Sequence, residues 1–125
     1  LIEAARAEVV IADTTALVVA AYSELYFKDR SLWPAAIAAQ RSMGLTLLMG
    51  LDLPWRSDGF FRDSPAVREA TDALLRRELQ AAGIVFQTIY GQGAQRLHAA
   101  LGAIGNARGR DLLPDDPTLR EGNAR

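Results

Sequence analysis

The sequence predicts an α/β protein, a three-layer parallel sheet with helices on both faces. Short, uninterrupted apolar runs, which suit strands buried on both sides, alternate with longer stretches of helical periodicity. Strands separated by helices pair in parallel, and the helices cover the sheet. A chain of 125 residues, half of them apolar, suffices for one domain with one core.

Leu1–Ala7 reads as the last turns of a helix whose beginning is absent, so the chain is expected to be a piece of a longer protein. Val9-Val10-Ile11-Ala12 is a β-branched run and the expected first strand. Helical text follows from Ala16 to Phe27, with Thr14 or Thr15 as N-cap. A second helix is expected from near Ser31 to Met43, stopped by Gly44. Leu45–Met49 is the second expected strand, closed by Gly50. Residues 51–63 contain Pro54 and Gly59 and read as a loop. Asp63 or Ser64 then caps a helix with Pro65 near its first position. Its inner stripe is Val67, Thr71, Leu74, Leu75 and Leu79, and Gly83 ends it. Ile84–Ile89 is the third expected strand, and Ala94–Ile104 the last helix. Residues 105–125, rich in Gly, Asn, Arg, Asp and Pro, read as a disordered tail.

Composition removes several functions. With 14 basic and 15 acidic side chains there is no global basic field for nucleic acid or an anionic membrane. Cysteine is absent, which excludes disulfides, thiolate metal sites and a Cys nucleophile. A single histidine, His98, excludes a multi-His cage and reads as a surface or capping residue. The longest apolar run, Ala16–Tyr22, is far short of the ~20 residues of a membrane helix.

In open parallel sheets ligands sit beyond the carboxyl ends of the strands. The three loops that begin there start at Asp13, Gly50 and Tyr90. Asp13, directly after the expected first strand, has the chemistry to anchor a hydrated Mg²⁺, although Asp-Thr-Thr also serves as a helix cap. In the loop after the second strand, Trp55 suits cover of a planar ligand. Arg62, and with it Arg56, suits neutralisation of phosphate charge, and Asp58 suits hydrogen bonds from sugar hydroxyls. The alternative for this loop is that Trp55 and Phe60 fold back as anchors while the charges are solvated. Arg76, Arg77 and Glu78 read as a solvated helix face, and Gly91-Gln92-Gly93 as a tight turn. A phosphate cradle of the form Gly-x-x-x-x-Gly-Lys-[Ser/Thr] does not occur, because the single lysine, Lys28, precedes Asp29 and the first glycine is Gly44. These 125 residues alone are therefore expected to bind ATP poorly.

Val9–Thr15, Tyr22–Phe27, Leu45–Leu48, Pro54-Trp55-x-x-Asp58-Gly59 and Arg62-Asp63, in that order, resemble the NadR-like AAA-type ATPase/kinase family. That family includes ribosylnicotinamide kinases of NAD salvage. The similarity spans about Val9 to Ile104, and the Trp-x-x-Asp-Gly block beside Arg-Asp is its most specific part. The resemblance implies a P-loop NTPase-like fold, here incomplete. It also implies a cytoplasmic enzyme that transfers the γ-phosphoryl group of ATP to nicotinamide riboside or a related nucleoside, with Mg²⁺. On that reading residues 1–104 are the C-terminal portion of the domain, and its first strand, P-loop and following helix lie upstream of Leu1. Asp13 matches the Walker-B-like acid near Mg²⁺, Trp55 the tryptophan that stacks on the substrate base, Asp58 its neighbour in the same motif, and Arg62 the arginine near the phosphates. Two positions depart from the pattern. Thr15 stands where relatives often have a second aspartate, and Arg62 lies one residue further from Asp58-Gly59 than in the shorter form. ATP and a nucleoside are the implied partners, without nucleic acid or membrane; a homo-oligomer is compatible with the sequence.

Two other readings stand beside this one. The first is a degenerate, non-catalytic binding or regulatory module of the same fold. The second is a PIN-type Mg²⁺-dependent ribonuclease, which needs further acids at later strand ends where this chain has Tyr90-Gly91. A phosphatase of the haloacid-dehalogenase type needs Asp-x-Asp after the first strand, and Thr15 removes the second acid.

Overall fold

The computed structural model describes residues 9–54 and 64–112, with side chains to residue 108. The described residues fall into two compact units, one of residues 9–42 and 66–84, the other of residues 43–54, 64–65 and 85–112.

The first unit is helical. Helix α1 spans Ala16–Phe27, the span its sequence predicts, and buries Leu17, Ala20 and Ala21. Thr15 is its N-cap: its backbone is extended and its hydroxyl accepts the Leu17 N–H. The helix ends on Lys28 in the left-handed region, φ 55°, with its N–H donating to the Glu24 carbonyl and the Asp29 N–H to that of Ser23. The single lysine thus terminates a helix. Asp29 then accepts the Ser31 N–H at 2.8 Å, a local turn into the next helix.

Helix α2, Trp33–Arg41, is shorter at both ends than expected. Pro34 occupies its first turn, where a missing N–H costs nothing. Beyond Arg41 the Ser42 hydroxyl donates to the Ala39 carbonyl at 2.6 Å, a local bond that competes with further helix. Trp33 is 3% exposed and, with Ala36, is part of the core.

Helix α3, Pro65–Ala81, buries Thr71, Leu75 and Leu79, three members of the predicted stripe. It closes in a Schellman motif: Gly83 N–H donates to the Gln80 carbonyl and Ile84 N–H to that of Leu79. Gly83 takes φ 67° there, which glycine adopts without steric cost. Ile84 is therefore spent on ending a helix instead of starting a strand.

The second unit holds two short parallel strands, β1 (Leu47–Met49) and β2 (Gln87–Ile89), in the register Leu47↔Gln87, Leu48↔Thr88, Met49↔Ile89. Thr46 O and Gly50 N extend the ladder by one bond at each end. Helix α4 follows over Ala94–Leu112, so residues 105–112, expected in a tail, are helical. Glycine in a helix costs only about 1 kcal/mol relative to alanine. Gly102 and Gly105 lower the propensity without breaking the helix; residues 113–125 lie outside the described ones.

The strand expected at Val9–Ala12 does not form among the described residues. Val9–Ala12 has no ladder among the described residues, and Ile11 is 76% exposed. A strand exists only through a neighbour's hydrogen bonds, and the described sheet is the β1–β2 pair alone.

Candidate functional site

Asp13 lies two residues before the cap of α1. The sequence left capping and ligand binding both open for the Asp-Thr-Thr triplet, and the structure separates them. Thr15 performs the cap, and Asp13 is exposed, accepting from the Thr14 hydroxyl at 3.4 Å. Thr14 between them has φ 58°, an unusual conformation for a β-branched residue. The result is an exposed carboxylate beside the N-terminal end of a helix, where negative charge is favoured.

Trp55, Asp58 and Arg62, together with Arg56 and Phe60, lie outside the described residues. Of the four residues singled out for the site, the structure therefore describes Asp13 alone.

The carboxyl edge of the β1–β2 pair carries a cluster that the sequence reading did not single out. Arg96, in the first turn of α4, donates from its guanidinium to Asp52 Oδ1 at 2.6 Å, to the Gly50 carbonyl at 2.9 Å and, through Nε, to the Gly91 carbonyl at 2.9 Å. Asp52 Oδ2 in turn accepts the Gly91 N–H at 2.6 Å. The Gly91 N–H, with Arg96 beside it, holds the Asp52 carboxyl below its ordinary range. Gly91 has φ 102°. A Cβ on Gly50 would stand 2.4 Å from the Tyr90 ring. The available signal was positional: an acid two residues past one glycine-ended strand, and an arginine opening the helix after the next.

The first unit carries a second charged cluster, which corrects the reading of Arg77 and Glu78 as a solvated face. Glu24 of α1 is bonded by Arg30 and, at 2.7 Å, by Arg77; Glu78 of α3 is bonded by both, at 2.7 and 2.8 Å. Partial burial works to raise the pKa of Glu24 and Glu78, but the arginine hydrogen bonds outweigh it and hold both below the usual carboxylate value. All four groups are satisfied by one another, the pattern of a structural network. His98 is exposed on α4. The rings of Tyr22 and Tyr26 meet on α1 in a tilted arrangement, with centroids 5.9 Å apart.

The sequence model of a family described as AAA domain matches residues 1–96. The chain belongs to the AAA domain family. This is a family of P-loop NTPase type, and in this AAA domain the match takes in Asp13, helices α1 to α3, both strands and, as its last residue, Arg96. Comparison with curated proteins and with solved structures gave no match. Among the described residues of the domain no helix is long and apolar enough to cross a membrane.

Proposed function

We propose that this AAA domain works in ATP-dependent phosphoryl transfer to the 5′-hydroxyl of nicotinamide riboside or a related nucleoside, within a three-layer P-loop NTPase-like fold. The observation that carries the reading is the open carboxylate of Asp13 inside a P-loop NTPase-type family match. It is supported by the order of motifs from Val9 to Asp63.

Mg²⁺ suits the donors present. It takes hard oxygen ligands and is usually held by one or two carboxylates, with waters and substrate phosphates completing its shell. Asp13 offers such a carboxylate, and no group of three or more acidic, His or Cys side chains is gathered among the described residues. Asp13 would hold the ion through water, and the ion would neutralise charge on the phosphates. The nucleoside hydroxyl attacks the γ-phosphorus and loses its proton to water or to an oxygen of the phosphoryl group, the bond to the β-phosphate oxygen breaks, and ADP leaves. Arg62 offsets charge on the group in transfer. Trp55 stacks on the base, and Asp58 accepts from the ribose hydroxyls. The grip on the triphosphate is not among these 125 residues, since no glycine-lysine cradle occurs in them.

The test is a coupled ADP-release assay on the whole protein with Mg-ATP and nicotinamide riboside. Nucleoside-dependent ADP release that is lost in Asp13→Ala, with a raised nucleoside KM in Trp55→Ala, is the expected result. Nucleotide binding without turnover points instead to a regulatory module, and unchanged kinetics in both variants removes these site assignments.

A further inference from the structure

The parallel pair is open along one side of β1. The Gln87 N–H donates to the Thr46 carbonyl and the Gly50 N–H to that of Ile89, in the register Leu48↔Thr88. Successive residues of a strand present their N–H and C=O groups to opposite sides, so alternate residues bond the same neighbour. Thr46, Leu48 and Gly50 therefore face β2. Leu47 and Met49 turn their backbone groups the other way, where none of the described residues meets them. The Met49 side chain is exposed as well. The two strands also differ in composition. Leu45-Thr46-Leu47-Leu48-Met49 is apolar but for one threonine, the text of a strand covered by neighbours. β2 carries an exposed Gln87 and then Thr88. Native proteins protect a sheet edge with charges, proline, bulges or short length, because open N–H and C=O groups recruit other chains. Apart from its length β1 has no such device.

Backbone groups away from water need partners, and a row of them at strand spacing is met by another strand. A two-stranded sheet is also marginal by itself, whereas three or more strands with an apolar face are stable. We propose that the Leu47–Met49 edge of β1 receives a third strand, an extended apolar stretch of the same polypeptide that bonds the backbones of Leu47 and Met49. The composition of β1 is the reason for an occupant within one chain. An edge that stays covered can be apolar, whereas one that opens to solvent between partners is an aggregation site. With this strand in place β1 is central and β2 lies outside it, as their apolar and polar texts require. The inference goes beyond the phosphoryl-transfer reading and does not depend on it, since neither the edge nor its test involves nucleotide or turnover.

The experiment is residue-resolved amide hydrogen exchange of the whole protein by NMR, with Leu48, which faces β2, as internal reference. The Leu47 and Met49 amides are expected to exchange about 100-fold or more slower than an unstructured chain, and within about tenfold of Leu48. Their protection is expected to be the same across a dilution series, and the residue in contact with them to have strand chemical shifts. Exchange of both at the unstructured rate beside a protected Leu48 overturns the proposal. A helix or loop in the strand's place overturns it too, and protection that grows with protein concentration assigns the edge to a second copy instead. Thermal unfolding gives an independent reading through Leu47→Pro against Leu47→Ala. Both remove the leucine side chain, and proline alone removes the N–H, which an edge strand tolerates where that N–H faces solvent. Leu47→Pro is expected to melt about 5 °C or more below Leu47→Ala, or to fail to fold where the alanine variant folds. Equal Tm values for the two variants overturn the third strand.

Discussion

Two aspartates, each at a sequence break after an apolar run, end up in opposite circumstances. Asp52 has both carboxylate oxygens engaged, one by Arg96 and one by the Gly91 N–H. Among the described residues Asp13 accepts one long bond, from the adjacent Thr14. Hydrogen-bond satisfaction marks Asp52 as a carboxylate that holds the fold, and sequence position does not. Glu24 and Glu78 fall on the Asp52 side of that division, since two arginines answer both of them.

Substitutions sharpen the contrast. The largest effect is expected at Asp13: Asp13→Asn lowers Mg²⁺-dependent turnover by roughly 10²–10³-fold but leaves stability within about 0.5 kcal/mol, as urea unfolding monitors. Asp52→Ala is expected to do the reverse in part, lowering Tm visibly because the Gly91 N–H and the Arg96 guanidinium lose a shared partner. Core contacts set the scale for such losses. Trp33→Ala is expected to cost about 3–5 kcal/mol. Trp33→Phe is expected to cost much less, since the buried Trp33 Nε1 has no hydrogen-bond partner among the described residues; denaturant midpoints compare the two. Thr15→Ala removes the α1 cap and is expected to cost about 1 kcal/mol. If Thr15→Ala costs nothing while Asp13→Ala costs that much, the assignment of cap and open carboxylate is inverted.

The smallest expected effect is a pH dependence. Glu24 and Glu78 have lower pKa values folded than unfolded. Their contribution is therefore complete above the ordinary carboxylate pKa near 4.5 and disappears as pH falls through the folded values. Thermal unfolding of Glu24→Gln/Glu78→Gln from pH 7 to pH 3 is expected to show a shallower acid loss of Tm than the wild type.

The helices were legible where local signals agree. Thr15 and the apolar text to Phe27 fix α1, and Pro65 with Gly83 brackets α3, because caps and glycine stops act over a few residues. The strands were less so. Val9–Ala12 has strand composition, but a ladder is a property of two segments, and the described structure pairs only β1 with β2. Ile84 was absorbed by a helix-closing turn. The 44-residue separation of Asp52 and Arg96 hid their ion pair, since nothing local to either residue announces the other. Residue type and setting make Asp13 a candidate, whereas its freedom from capping duty required knowing which hydroxyl meets the Leu17 N–H.

The most direct test is the Mg²⁺ dependence of nucleoside phosphorylation by the whole protein, titrated for wild type and Asp13→Asn with both shown to be folded. The account predicts saturable activation by Mg²⁺ in the wild type and its loss at every Mg²⁺ concentration in the variant. Equal activation curves for the two would contradict it.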